Sequence, residues 1–543
     1  MSNSDNITSN SNDNRPLSKA EMDQRMLYQW EGRPKFRYAY PVSLQHLLAM
    51  FLSNLTPILV IGHEAQATEA QMLVMIQCAM IVAGLSTLLN LYPIKIGWLQ
   101  IGARLPIIMG TASTFIAPGV AVASTAVAMG HTNPIGLVIG GLIGASVAEL
   151  IVGLTYKWIG RFFPPLVIGA TLIAIGLMLI PIGINNFAGG VSRGVPNPGF
   201  GSISNLTVGF TVFFTNLLIQ RFGRGILKIS SILISVVVGY LMIIVLGHFN
   251  ILEFRYLFDV GEFANAFREA NVVALPIPWY LRPEFSLSAI GGFIVVYIIS
   301  GLSTIGYTNS ITLGGFNRKA TDKEVSAAIV CDAVSSAFAG IFNSLPNTEF
   351  GQNAGMVVMN KIVNRWVFAL TAFTLIIAGF FPPLGVIFRS IPHAVLGGSI
   401  LAVFAMIFTN GMQMIAQDGF TTRNLTILCA VFGIGYGLGG NRAAIEGLQT
   451  YEGFVVIERI LGFFHFILSD RIVLVAITAI LLNLLFPKDK EPEPKPIKIE
   501  IEPEELIGLE VESEKAMKIE VEPDEPIKIE IEPDEPIKIE IEP

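Results

Sequence analysis

About fourteen apolar stretches of roughly 20 residues follow one another along this chain, each long enough to cross a bilayer as a helix. With 52% hydrophobic and only 14% charged residues and a mean hydropathy of +0.61, the composition excludes an ordinary soluble domain. In hydrocarbon every backbone N–H and C=O must be satisfied inside its own segment, so the spanning elements have to be helices. The sequence predicts an all-α polytopic membrane protein.

The spans read at Tyr40–Gly62, Gln71–Tyr92, Leu105–Val127, Pro134–Trp158, Pro164–Ile184, Asn205–Arg221 and Ile226–Gly247. After a long mixed loop, His248–Glu284, they resume at Ser286–Thr312, Val325–Leu345, a broken tenth segment ending at Ile362, Arg365–Phe388, Val395–Met414, Arg423–Gly439 and Ile472–Phe486. Val455–Leu468, interrupted by Glu458 and Arg459, reads as an interfacial helix. Residues 1–39 start Asn/Ser/Asp-rich, which predicts a disordered segment without a cleavable signal.

Two of these segments cannot be plain lipid-facing helices. The tenth, within Asn343–Arg365, is interrupted by Pro346, Gly351 and Gly355 and carries Asn347, Glu349, Gln352, Asn353 and Asn360. The third carries Gly110-Thr-Ala-Ser-Thr-Phe-Ile-Ala-Pro118. Irregular backbone and amide or carboxyl groups at membrane depth survive where protein or a polar cavity surrounds them. If the chain is two sevens, segments three and ten hold matching positions. Paired broken segments in two halves point to a midplane site between inverted repeats, the plan of a secondary transporter.

Lys95, Arg104, Lys157, Arg221, Lys228, Arg318, Lys319, Lys323, Lys361 and Arg365 fall in loops on one side, with few basic residues such as Arg389 opposite. The positive-inside rule then puts both termini in the cytoplasm; a plasma or bacterial inner membrane is the expected location. The net charge of -7 is misleading, because much of the acid lies in residues 488–543. There PIKIEIEP recurs at Pro496–Pro503, Pro526–Pro533 and Pro536–Pro543, which predicts a disordered, low-complexity acidic tail. Cys78, Cys331 and Cys429 form no CxxC pair and no Cys/His cluster. Nothing resembles a phosphate loop, a hydrolytic triad or a metal cluster, so no enzyme, cofactor, metal or nucleic-acid partner is expected.

The segment Gln352-Asn353-Ala354-Gly355, followed by Asn360-Lys361, resembles the signature of the nucleobase–ascorbate transporter family, the second nucleobase–cation symporter family. That signature runs Gln/Glu-Asn-x-Gly, four variable residues, then Thr and an often basic residue; here Asn360 stands in place of Thr. IVCDAVSSAFAGIFNSLPNTEFGQN resembles the family's ninth helix and its approach to the tenth, Gln45-His46 its first-helix pair, and GTASTFIAP its third-helix pattern. SIPHAVLGGSILAVF and Thr422-Arg423-Asn424-Leu425 match as well. The likeness spans residues 38–487, and bacterial xanthine and other purine permeases look most similar.

The resemblance implies fourteen spans in a 7+7 inverted repeat, with short antiparallel strands in segments three and ten. It implies a core domain of spans 1–4 and 8–11 (residues 40–158 and 284–390) and a gate of spans 5–7 and 12–14 (residues 159–283 and 391–487). Homodimers are common in such proteins. A purine such as xanthine would be imported by symport with a proton, or with sodium; uracil, or an anion of the sulfate type on the same fold, is the alternative. Gln352 and Asn353 would bond the heterocycle's edge, with Thr114 and Phe115 on the opposing strand. Where the family usually has a span-8 Glu, this chain aligns Ser303, with Tyr307 one turn later. A Ser cannot accept two ring N–H groups as a carboxylate does, nor carry a proton. Glu349 is the nearest replacement, as ligand or proton carrier. Asp332 matches the ninth-helix Asp, and with His46 and Glu149 completes the candidates for proton coupling or gating.

Overall fold

The computed structural model describes residues 25–440, except 160–161, 163, 193–194, 224–225, 250–256 and 259, together with 471–487 and four strand segments further on. Among the described residues, nine helices are long and apolar enough to cross a membrane. They are spans 1 (Phe36–Glu64), 2 (Glu69–Leu91), 4 (Pro134–Ile159), 5 (Pro165–Phe187), 6 (Ile203–Phe222), 7 (Ser231–His248), 8 (Leu287–Phe316), 9 (Asp322–Ile341) and 12 (His393–Asp418). Span 14 is the shorter Arg471–Leu485. Thr68 with Gln71 and Thr321 with Glu324 form reciprocal caps on spans 2 and 9, satisfying N–H groups that the helix cannot.

The remaining crossings are interrupted, each for a readable reason. Segment 3 is a strand, Met109–Thr111, then a tight turn, Ser113–Phe115, then the helix Ile116–Ala128. Segment 10 is the strand Asn347–Glu349 and the helix Gly351–Asn360. Span 11, expected as one helix, bends by 82° between Arg365–Gly379 and Pro382–Arg389. Pro382 and Pro383 lack the N–H needed to continue the ladder and push Phe381 to extended angles (φ -104, ψ 91). Span 13 starts as Thr422–Ala430, widens by one residue per turn over Val431–Tyr436, which contains Gly433 and Gly435, and continues as Gly437–Gly440.

The contacts repeat when every span is exchanged for the one seven places on. Span 2 packs on span 11 as span 9 packs on span 4, and span 1 meets span 11 as span 8 meets span 4. Spans 5 and 12 pack on each other over most of their length, and the strands of segments 3 and 10 pair with each other. A Cβ on Gly169 of span 5 would sit 2.6 Å from the carbonyl of Gly411 in span 12, and one on Gly411 the same distance from that of Gly169. Only glycine permits that approach. Seven is odd, so the second half enters the bilayer from the opposite face. Lys157 at the end of span 4 pairs with Asp322 at the start of span 9, and Arg389 at the end of span 11 with Glu69 at the start of span 2 (2.6 Å). Both pairs join ends that alternate crossing puts on one face. The 7+7 inverted repeat is the architecture.

Several expectations need correction. Residues 25–39 are ordered rather than disordered: Leu27 is buried, and Asn364 donates to the carbonyls of Met26 (2.9 Å) and Gln29 (3.0 Å) while span 1 already begins at Phe36. The loop after span 7 contains the helix Val260–Glu269. Span 7 begins at Ser231 after a separate turn at Ile226–Ile229. In the tail, Ile497–Ile501 pairs antiparallel with Ile527–Ile531, and Leu509–Glu510 with Glu540–Ile541. Their register sets Lys498 opposite Glu530 and Glu500 opposite Lys528, the charge match that favours a ladder. Val455–Leu468 and the rest of the tail lie outside the described residues.

Candidate functional site

The strands Met109–Thr111 and Asn347–Glu349 run antiparallel, with Gly110 opposite Thr348, and Phe350 N–H to Ile108 and Ala112 N–H to Pro346 extend the ladder. A two-stranded ribbon at membrane depth leaves its outer amides without partners. Side chains of the surrounding spans supply them. Thr87 of span 2 accepts from Met109 N–H (2.9 Å), Asn54 of span 1 from Thr111 N–H (2.6 Å), and Ser336 of span 9 from Asn347 N–H (3.1 Å). The polar residues scattered through these spans hold the broken segments in place.

Beside the ribbon lies a cavity of about 120 Å³. Ser113 and Thr114 line it from segment 3, and Glu349, Gly351 and Gln352 from segment 10. Ser300, Ser303, Thr304 and Tyr307 line it from span 8, and Ser53 from span 1. Leu172 of span 5 and Val403, Met406, Ile407 and Asn410 of span 12 close the opposite side. The helix Gly351–Asn360 starts at this cavity, so its free amides and dipole face the contents.

Five of the sequence candidates meet here: Gln352, Glu349, Ser303, Tyr307 and Thr114. Ser303 donates to the Ile299 carbonyl (2.9 Å), which uses up its proton within its own helix. Gln352 Nε2 faces Met406 Sδ at 3.9 Å across the cavity. Asn353 does not line the cavity. Consecutive helix residues point about 100° apart, and Asn353 instead turns to span 1, donating to the His46 carbonyl (3.0 Å) and lying 3.2 Å from His46 Nδ1. His46 packs in turn on Phe368. Phe115 is likewise off the wall, fully buried with its ring edge-on to Tyr297 at 4.5 Å.

Three carboxyl groups are buried around the ribbon. Glu349 Oε1 accepts from Thr308 Oγ1 (2.9 Å), and Asp332 Oδ2 from Thr304 Oγ1 (2.5 Å). The two threonines sit one turn apart on the same face of span 8. Glu149 of span 4 is fully buried against Gly301, and among the described residues neither of its oxygens has a hydrogen-bond partner. Among the described residues no Lys or Arg is buried. Carboxyl groups in such surroundings must be met by protons, cations or hydrogen-bond donors.

Sequence reasoning missed Asn410 and Met406. Asn410 had a signal, an amide inside an apolar span; Met406 had none.

The chain matches the model of a permease family, Xan_ur_permease, over residues 38–440. It is 29% identical to the xanthine permease of Bacillus subtilis strain 168, over 75% of this chain and 86% of that one. It is also 29% identical to the uric acid transporter UacT of Escherichia coli strain K12, over 82% and 85%. Among solved structures, the murine solute carrier 26 family member A9 anion transporter, in its inward-facing state, superposes with a TM-score of 0.53 at 10% identity, covering 84% of this chain and 73% of that one. That likeness concerns the fold.

Proposed function

This chain belongs to the Xan_ur_permease family of permeases, multi-pass membrane transporters rather than enzymes, and we propose that it imports a purine nucleobase of the xanthine class by proton symport. The observation that carries this reading is the pairing, in one small cavity, of an amide, Gln352, with a carboxyl, Glu349, from the same broken segment. An amide offers both donor and acceptor, and a carboxylate accepts N–H groups, which together match the edge of an oxopurine. The names of the relatives in B. subtilis and E. coli support the same class.

Residues 40–158 and 284–390 would act as the core, and 159–283 and 391–487 as the gate. The cavity's composition supports this division: most of its polar wall comes from the first group, while the second supplies Leu172, Val403, Met406 and Ile407 with the single amide Asn410. Sliding of one against the other would open the cavity to each face in turn. Glu349 takes the part of the missing span-8 acid, with Asp332 and Glu149 behind it as further proton acceptors. Thr304 and Thr308 link the span-8 face of the cavity to Asp332 and Glu349. A proton bound there and a base bound in the cavity would each favour the other, which is coupling. The basic side chains Lys157, Arg318, Lys319, Lys323 and Arg365 at one face support cytoplasmic termini.

Anion transport on this fold is the weaker reading, because no Lys or Arg lines the cavity among the described residues and a carboxyl does. Uptake of labelled xanthine, uracil and sulfate into vesicles tests the proposal, with Gln352→Ala alongside. Xanthine uptake lost in the variant is the expected result; sulfate uptake without base uptake would overturn it.

A further inference from the structure

Away from the cavity, where span 1 ends and span 12 begins, the rings of His63 and His393 lie 4.9 Å apart between centroids. We propose that these two histidines form a binding site for a divalent transition-metal ion of the zinc class.

Asn186, at the end of span 5, donates through Nδ2 to the Ile182 carbonyl (3.0 Å), which fixes its amide and turns Oδ1 toward His393 Nδ1 (3.1 Å). An acceptor at Nδ1 assigns the proton there and leaves the Nε2 lone pair for a metal. Metal-binding histidines are oriented in this way, by an oxygen on the far ring nitrogen. The ring is also held in place: a Cβ on Gly190 would lie 2.7 Å from His393 Cγ and 2.8 Å from Nδ1. His63 supplies the second ligand. Its Nδ1 is buried and has no hydrogen-bond partner among the described residues, an unexplained orphan for a ring nitrogen.

Both histidines are only partly buried, and His63 also lines an open cavity of about 350 Å³ with Glu69 and Arg389, so an ion has a way in. Among the described residues no third His, Cys, Asp or Glu joins a metal-binding group. The site therefore offers two imidazoles and leaves the other tetrahedral positions to water. Imidazole pairs suit zinc, nickel and copper rather than magnesium or calcium. One ligand belongs to span 1 and the other to span 12. On the transport reading, a bound ion would join core to gate and slow their relative motion; the binding itself does not depend on that reading.

The test is calorimetric titration of the purified full chain with zinc chloride. Saturable binding is expected, lost in His63→Gln and in His393→Gln, retained in His393→Cys, which restores a ligand, and unchanged in His131→Gln. Asn186→Ala, which removes the orienting oxygen, is expected to weaken the affinity about 10–100-fold. Absence of saturable binding, equal binding in His393→Gln, or loss in His131→Gln would overturn the proposal. Magnesium binding at the same site would also contradict it.

Discussion

Thr308 offers the sharpest test of how the carboxyl of Glu349 is held. Its hydroxyl is fully buried and donates to Glu349 Oε1 at 2.9 Å. Thr308→Val keeps the side-chain shape and removes the donor, which leaves a buried oxygen unsatisfied. Leaving a buried polar group unsatisfied costs about 1–3 kcal/mol. At about 1.4 kcal/mol per tenfold change, xanthine binding should weaken by roughly 5–150-fold. Thr308→Ser keeps the hydroxyl and should bind nearly as the parent does. The assay is equilibrium binding of labelled xanthine to the purified protein, with expression and thermal unfolding as controls for folding. Parental affinity in Thr308→Val would refute the argument that Thr308 orients the carboxyl for substrate.

Three further substitutions separate site from scaffold. Gly110→Ala puts a Cβ 2.8 Å from the Phe350 ring and 3.1 Å from Asn54 Oδ1, which holds Thr111; overpacking of this kind costs about 1–3 kcal/mol, so thermal unfolding should move down and binding weaken together. Asn353→Ala removes the bonds to His46 and should lower stability by about 1–3 kcal/mol while base preference is kept. Gln352→Ala should do the reverse, and thermal melts paired with competition binding read the difference.

The broken segments were legible because prolines, glycines and amides inside apolar runs have few physical explanations. Their matching places in two sevens pointed to the inverted repeat, whereas the strands of segments 3 and 10 were expected only from the family resemblance. The partners of those strands were not legible. That Asn54, Thr87 and Ser336 meet the ribbon depends on span rotation, which nearly uniform hydrophobicity leaves open. For the same reason Gln352 and Asn353 looked alike in sequence, yet one lines the cavity and the other ties segment 10 to His46. Asn364 shows a different limit: its three bonds to residues 26–32 order a polar stretch whose composition reads as disordered. Asn186, His63 and His393 come together from three spans, a contact that no local pattern encodes.

Uptake of labelled xanthine into vesicles with and without an inward proton gradient, comparing the parent with Glu349→Gln, tests proton coupling through Glu349. Gradient-driven accumulation is expected in the parent, and in Glu349→Gln uptake that no longer responds to the gradient. Gradient-driven accumulation by Glu349→Gln equal to the parent's would contradict the claim that this carboxyl replaces the missing span-8 acid.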